Sequence, residues 1–196
     1  MRADAAERRE RLLDAGRDLF AEVGYDVSLE AIAERAGVGI ATLYRNFPSR
    51  QDLKVALLAD GLGRARAVLE KLLEQVDDDP VGSLTRLSQM FVDLRLGALI
   101  PIIVRDIDEL PGDLVAERRS NLQAVAEILT RAKRKGVVRE DLTEFDFFAG
   151  LALITRPQPA LAQDPMVVGN ASVEALTPRV LAIFLAGLRP DGAKLP

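Results

Sequence analysis

The segment from Ser28 to Leu53 has the residue spacing that most restricts how this chain folds. Ala33 is followed by Gly37 four residues later and by Leu43 six residues after that. A small residue lets two helices cross closely, a glycine accepts the positive φ of a tight turn, and a leucine anchors the second helix from below. The spacing therefore predicts a helix-turn-helix, in which two short helices are joined by a tight turn.

Helical periodicity continues on both sides of this segment. Apolar residues recur at three- and four-residue steps from Arg8 to Val23, and Ser49 with Asp52 resembles a capping box at the start of a longer helix. Later helices are predicted from Leu114 to Lys135, from Glu144 to Thr155 and from about Ser172 to Leu188. Because the sequence contains no strand-type alternation and no hairpin dipeptide, we expect an all-α fold.

The composition removes whole classes of catalytic and metal sites. Among its 196 residues the chain has no cysteine and no histidine, which excludes disulfides, thiolate nucleophiles, imidazole ligands and a Ser-His-Asp triad. We therefore expect no catalytic residues, no metal site and no cofactor.

The hydropathy pattern bears on where the protein resides. Apolar runs such as 100–104 are far shorter than the roughly 20 residues that a membrane span needs. The N-terminal residues mix acids and bases and contain no apolar signal core. The sequence thus predicts a cytoplasmic protein with no membrane partner.

Charge is distributed unevenly along the chain. The net charge of −4 argues against a protein that binds nucleic acid over its whole surface. Between Arg35 and Lys54, however, Arg45 and Arg50 add two further bases and Asp52 is the single acid, so this window carries +3. The helix-turn-helix segment is therefore expected to present a local positive patch.

The same segment resembles the signature of TetR-type transcriptional regulators. The matching positions are Ser28, Ile32-Ala33, Ala36-Gly37-Val38, Thr42-Leu43-Tyr44, Phe47 and Leu53. The resemblance implies a DNA-binding helix-turn-helix domain over residues 1–48 and a larger helical domain over 49–196 that binds an effector and dimerises through its last two helices. The implied partners are double-stranded operator DNA, a second copy of the chain and an unidentified small-molecule effector.

The resemblance also implies which side chains meet DNA. Backbone phosphates would be contacted by Ser28, Thr42, Tyr44 and Arg50, and base edges by Ile40, Ala41 and Arg45. Arg45 is suited to bidentate contact with guanine, although such an arginine also contacts phosphate. Gly39 and Asn46 belong to the same surface, and the contact of Asn46, with phosphate or with adenine, stays open.

Two further sets of residues are expected in the larger domain. A mostly apolar cavity with a few polar groups is typical of small-molecule sites. The candidate ligand-binding residues are Met90, Phe91, Arg95, Arg118, Asn121, Val125 and Thr155. The candidate dimer-interface residues are Phe147, Leu151, Ile154, Leu181, Phe184, Leu185 and Leu188.

These patterns predict a homodimeric, ligand-responsive repressor that an effector releases from a near-palindromic operator, and not an enzyme. Two alternatives remain at this stage. The first alternative is a helical ligand-binding protein that no longer reads DNA. The second is an all-helical enzyme that uses a carboxylate pair as acid and base. The candidate pairs for such an enzyme are Asp106 with Asp108, and Asp141 with Glu144.

Overall fold

The computed structural model describes residues 2–24, 26–99, 110–156 and 173–191, and these residues form an all-α structure without strands. No helix in these ranges has both the length and the apolar character that crossing a membrane requires. The helices are α1 (Arg2–Val23), α2 (Leu29–Arg35), α3 (Ile40–Asn46), α4 (Arg50–Gln75), α5 (Pro80–Asp93), α6 (Gly112–Arg134), α7 (Glu144–Thr155) and α8 (Val173–Gly187).

Short polar side chains cap several of the helices. The capping box predicted at Ser49 and Asp52 is present, since the Ser49 hydroxyl accepts from the Asp52 amide and the Asp52 carboxylate accepts from the Ser49 amide. Thr143 and Asp146 form an equivalent box at the start of α7. Hydrogen bonds from Thr143, first from its hydroxyl, lower the pKa of Asp146 below its ordinary value. These caps satisfy backbone donors that a helix start otherwise leaves unpaired.

The first apolar core joins α1, α2 and α3 to the beginning of α4. Phe20, Ile32 and Leu43 are fully or almost fully buried in it, and Leu53 and Leu57 extend it into α4. The helix-turn-helix is therefore held by α1 on one side and by α4 on the other. The start of α1 differs from the prediction, because it begins at Arg2 and not at residue 8. Its first turns are polar, so hydrophobic periodicity gave no sign of them.

The second apolar core is built by the later part of α4 together with α5 to α8. Its buried members include Leu72, Leu87, Ile128 and Phe147. Phe147 is surrounded by aromatic rings in edge-to-face or tilted contact, with ring-centroid distances of 6.5 Å to Phe91 and 6.0 Å to Phe184. Such contacts between rings add to the stabilisation that burial of apolar area provides.

A helical turn at residues 96–99 lies between the two cores. Ala98 and Leu99 belong to the first core, whereas Leu96 packs against both. Gly97 approaches the end of α7 so closely that a Cβ atom built on it would lie 2.5 Å from the carbonyl carbon of Thr155. This turn therefore connects the N-terminal core to the helices of the second core.

Helices α7 and α8 make an equally close contact. A Cβ atom built on Gly150 would lie 2.4 Å from Cε2 and 2.7 Å from Cζ of Phe184. Distances this short are not tolerated between carbon atoms, so the aromatic ring of α8 can sit here only because α7 has no side chain at this position.

We expect Gly150→Ala to lower the free energy of unfolding by about 1–3 kcal/mol, because the added methyl group displaces the Phe184 ring. The matched control is Gly63→Ala in α4, where a Cβ atom would meet nothing within 4 Å. This control should be neutral or stabilising by up to about 1 kcal/mol, since alanine favours a helix over glycine. Thermal denaturation followed by circular dichroism measures both variants. A Gly150→Ala protein that melts no lower than the wild type contradicts the described packing.

Candidate nucleic-acid interface and ligand cavity

The turn between α2 and α3 has the geometry that the sequence spacing predicts. Gly37 has a φ of 66°, a conformation that strains residues with a side chain. The amide of Val38 then donates to the carbonyl of Ala33 at 3.0 Å, which closes the turn. Gly39 follows in an extended conformation as the N-cap of α3, without a side-chain hydrogen bond. The Ser28 hydroxyl accepts from the amide of Ala31 at 3.1 Å and caps α2.

Helix α3 has a buried side and an exposed side. Leu43 is completely buried and Phe47, directly after the helix, is almost so. Ile40, Ala41 and Tyr44 are exposed on the helix, and the Tyr44 side chain has 46% of its surface accessible. The core residues therefore hold α3 so that its exposed side lies on the surface of the molecule.

The polar side chains of α3 bond to their own helix. Arg45 donates from Nε to the carbonyl of Ala41 at 3.2 Å and from its guanidinium to the hydroxyl of Thr42 at 2.9 Å. Asn46 donates from Nδ2 to the carbonyl of Thr42 at 2.8 Å. Exposed hydrogen bonds to neutral groups are weak, and a phosphate or a guanine edge is a stronger acceptor for a guanidinium. Arg45 is thus able to exchange these contacts for a nucleic acid.

The other bases of the predicted positive patch are engaged within the protein. Arg35 donates two hydrogen bonds to Glu22, at 3.0 and 2.8 Å, and this pairing lowers the pKa of Glu22. Lys54 is buried. Arg50 is half-buried, donates to the carbonyl of Val27 and lies over the Phe20 ring at 5.9 Å from its centroid. The guanidinium thus links the residue before Ser28 and the Phe20 ring of α1 to the start of α4.

A cavity of about 430 Å³ lies between α4, α5, α6 and α7. Five of the seven candidate ligand-binding residues line it, namely Met90, Phe91, Arg118, Asn121 and Val125. Arg95 does not, since it forms an ion pair with Asp18 of α1 at 3.2 Å. Thr155 does not either, because its hydroxyl donates to the carbonyl of Leu151 at 2.7 Å, within α7.

The sequence pattern does not identify most of the cavity wall. One side of α4 contributes a stripe of apolar residues, and α7 contributes aromatic and small residues together with the turn at 96–99. The additional lining residues are Leu58, Leu62, Ala65, Leu69, Leu96, Leu99, Leu122, Phe145, Phe148, Ala149 and Ala152. Their helical periodicity was visible, but an apolar stripe that faces a cavity has the same pattern as one that faces a filled core.

The predicted dimer interface is corrected at four positions. Phe147, Leu151, Leu181 and Leu188 are already buried inside the single chain, so they have little or no surface to offer a partner. Ile154, Phe184 and Leu185 are half-buried. The strongly exposed apolar side chains of α7 and α8 are instead Phe145, Leu153, Val180 and Ile183.

Of the carboxylates proposed for an enzyme, Asp141 is paired with a base in the structure. Asp141 forms a bidentate contact with Arg139, at 2.5 and 2.9 Å, and this contact raises the pKa of Arg139. Asp106 and Asp108 lie outside the described residues. Within the described ranges, no three acidic side chains gather in a group that is able to hold a metal ion.

Two family models match the chain, and together they span most of it. Residues 12–57 match the model for bacterial regulatory proteins of the tetR family. Residues 97–190 match the model for the C-terminal domain of SbtR-like transcriptional regulators. The chain belongs to the TetR family.

Known members of the TetR family resemble this chain over different lengths. The HTH-type transcriptional repressor KstR of Rhodococcus jostii is 33% identical over 123 residues, which are 53% of this chain and 58% of that protein. The chain thus spans little more than half the length of this relative. The crystal structure of the TetR regulator SCO0520 from Streptomyces coelicolor has a TM-score of 0.60 and 29% identity, and the match covers 94% of this chain and 99% of that one. A TetR regulatory protein from Mycobacterium vanbaalenii has a TM-score of 0.55 and 28% identity, with 96% and 98% covered.

In this TetR-family helix-turn-helix, Gly37→Ala should lower the free energy of unfolding by about 1–2 kcal/mol, because a Cβ atom is strained at positive φ. Gly39→Ser is the matched control, since Gly39 has a φ of −69° and open space around it. Serine at this N-cap should be neutral or stabilising by a few tenths of a kcal/mol. Urea denaturation of the full chain measures both. Equal stability of the two variants contradicts the described turn.

Proposed function

We propose that this protein is a ligand-responsive transcriptional repressor that binds operator DNA as a homodimer. The observation that carries the proposal is α3, whose exposed face is held at the surface by the buried Leu43 and Phe47. The relative from Rhodococcus jostii is a transcriptional repressor, which favours repression over activation. A regulator of this kind acts on chromosomal DNA in the cytoplasm and needs no catalytic centre.

In the proposed complex, α3 enters the major groove of the operator. Arg45 leaves its contacts with Ala41 and Thr42 and donates to a guanine edge or to a phosphate. Tyr44 and Ser28 donate from their hydroxyl groups to phosphates at the rim of the groove. We assign the remaining contacts of this surface to Gly39, Ile40, Ala41, Thr42 and Asn46.

Arg50 acts indirectly in this proposal. Its bond to the Val27 carbonyl fixes the residue that precedes the Ser28 cap, and its position over Phe20 fixes the start of α4 against α1. A phosphate contact by Arg50 requires it to give up these interactions. We therefore propose that Arg50 mainly orients the helix-turn-helix.

The proposed dimer surface is formed by the exposed apolar side chains of α7 and α8. Leu153 and Ile183 have 65% and 72% of their surface accessible, which is unusual for large apolar residues. Phe145 is exposed as well, but it lies at the wall of the cavity. Ile154, Phe184 and Leu185 of the same two helices are half-buried and extend the proposed surface. A symmetric dimer presents two copies of α3, so the operator should be nearly palindromic.

The proposed route from the cavity to the DNA-binding surface runs through the turn at 96–99. Leu96 and Leu99 line the cavity, and Leu99 also belongs to the core of the N-terminal helices. Gly61 of α4 faces Leu99, and a Cβ atom built there would lie 2.8 Å from Cδ1 of Leu99. An effector that moves Leu99 thus changes how α4 packs against the helix-turn-helix. To empty the operator it must favour the non-binding conformation by several kcal/mol.

We propose a division into residues 1–48 and 49–196 in which the first unit also packs against the start of α4. The helix-turn-helix is formed before residue 49, but Leu53 and Leu57 of α4 complete its core. We therefore propose that the N-terminal unit needs the start of α4 to fold.

Tyr44→Ala should reduce affinity for operator DNA by about tenfold or more, because it removes a charge-assisted hydrogen bond and the ring that orients it. Fluorescence anisotropy with a duplex from upstream of the protein's own gene measures this loss, with a scrambled duplex beside it. Binding of the wild type should also weaken steeply with salt. The logarithm of the binding constant should fall against the logarithm of the salt concentration with a slope of roughly 0.9 for each neutralised phosphate.

Tyr44→Phe is the matched control, because it keeps the ring and should lose only part of the affinity. If the wild type shows no preference for the upstream duplex and random-library selection also recovers no site, the proposal of a DNA-binding regulator is wrong. The protein is then better described as a helical ligand-binding protein that no longer reads DNA.

Ile183→Glu should convert the dimer to a monomer, because it places a charge at the centre of the proposed apolar face. The control is Val81→Glu, which changes an equally apolar residue with 60% of its surface accessible on α5. Light scattering of the purified proteins measures their mass. If Ile183→Glu remains a dimer, or if Val81→Glu dissociates it, the interface lies elsewhere.

A further inference from the structure

Among the described residues that line the cavity, most are apolar and a single one, Arg118 of α6, is charged. No aspartate or glutamate of the described ranges belongs to this lining. We propose that the cavity binds a carboxylate carried on an apolar body, with the carboxylate at Arg118. This inference rests on the proposed function, because it names the chemical class of the effector.

Arg118 is available for such a ligand. Among the residues that the structure describes, its guanidinium forms no ion pair and no hydrogen bond. The carboxylate of the neighbouring Glu117 pairs with Arg66 instead, at 3.8 Å. The side chain is half-buried, so it is partly removed from water before any ligand arrives. A ligand that covered Arg118 without pairing with it would leave a desolvated charge, which is costly. An anionic group removes this cost and gains charge-assisted hydrogen bonds.

Asn121 supplies a second polar group one helical turn further along α6. Its Nδ2 donates to the carbonyl of Leu62 in α4 at 2.9 Å, and the residue is buried. Because an amide nitrogen carries two hydrogen atoms, this bond leaves one N–H of Asn121 for another acceptor. Residues at positions i and i+3 lie on the same side of a helix. Arg118 and Asn121 together therefore provide donors for one carboxylate group.

The other lining residues favour a ligand whose remaining part is apolar. Leu58, Leu62 and Leu69 of α4 form one side of the cavity, and Phe91 and Phe148 lie opposite with their ring centroids 5.7 Å apart. Apolar surface of this kind stabilises an alkyl chain or a fused ring system by about 0.8 kcal/mol for each buried methylene group. A volume of about 430 Å³ is within the range of sites for small organic molecules.

The test compares three ligands that have the same alkyl chain and different head groups. Nile red, a neutral dye, reports occupancy of the apolar cavity, and decanoate, decanol and decyltrimethylammonium compete with it. The whole chain is used without DNA. Decanoate should displace the dye from the wild type at a concentration about tenfold or more below that of decanol, and the cation should be the weakest competitor.

Arg118→Met should remove the advantage of decanoate and leave decanol unchanged, because methionine keeps much of the length and none of the charge. Arg118→Lys should restore part of it. The matched control is Arg119→Met, which removes an equal charge from the exposed neighbouring position and should behave like the wild type. Circular dichroism and dye binding verify that each variant is folded.

The proposal is overturned if decanol competes as well as decanoate in the wild type, if Nile red does not bind, or if the preference for decanoate survives Arg118→Met. Operator binding is measured separately for the same variants by anisotropy. A protein that binds operator but does not discriminate between the head groups contradicts the proposed ligand class and leaves the repressor intact. A protein that discriminates between them but binds no operator supports the ligand class and contradicts the repressor.

Discussion

Burial of successive parts of α4 in different apolar cores is the constraint on which the rest of the structure depends. Leu53 and Leu57 are enclosed by the helices of the helix-turn-helix, whereas Leu69 and Leu72 are enclosed by α5 to α8. The 26 residues of α4 extend for about 39 Å at 1.5 Å per residue, so one rigid element links the two regions. Neither core is complete without it, and a change in its position therefore affects both.

The sequence predicted the helix-turn-helix well because local chemistry determines it. The conformation of Gly37 and the Ser49 cap follow from interactions between residues that are close in the chain. Such interactions can be read from spacing alone, since backbone sterics and capping preferences do not depend on distant parts of the molecule. The all-α class and the approximate positions of the later helices were predictable for the same reason.

Long-range contacts explain why the remaining assignments needed the structure. Arg50 and Arg45 look equivalent in the sequence, but Arg50 meets Val27 and Phe20 across the fold while Arg45 stays on its own helix. Phe147 and Phe145 are two residues apart in α7, and one is buried while the other is among the most exposed apolar residues. The sequence shows that a residue is apolar. Its packing partners in the fold determine whether it faces a core, a cavity or a second molecule.

The surface of α3 and the wall of the cavity have no residue in common. Substitution of Met90 or Phe148 changes the shape of the cavity without altering any atom of α3. After gene duplication, one copy of the proposed repressor is able to acquire a response to a different small molecule while it keeps the same target sites in the genome. The separation of these two surfaces thus allows the chemical signal and the controlled genes to evolve independently.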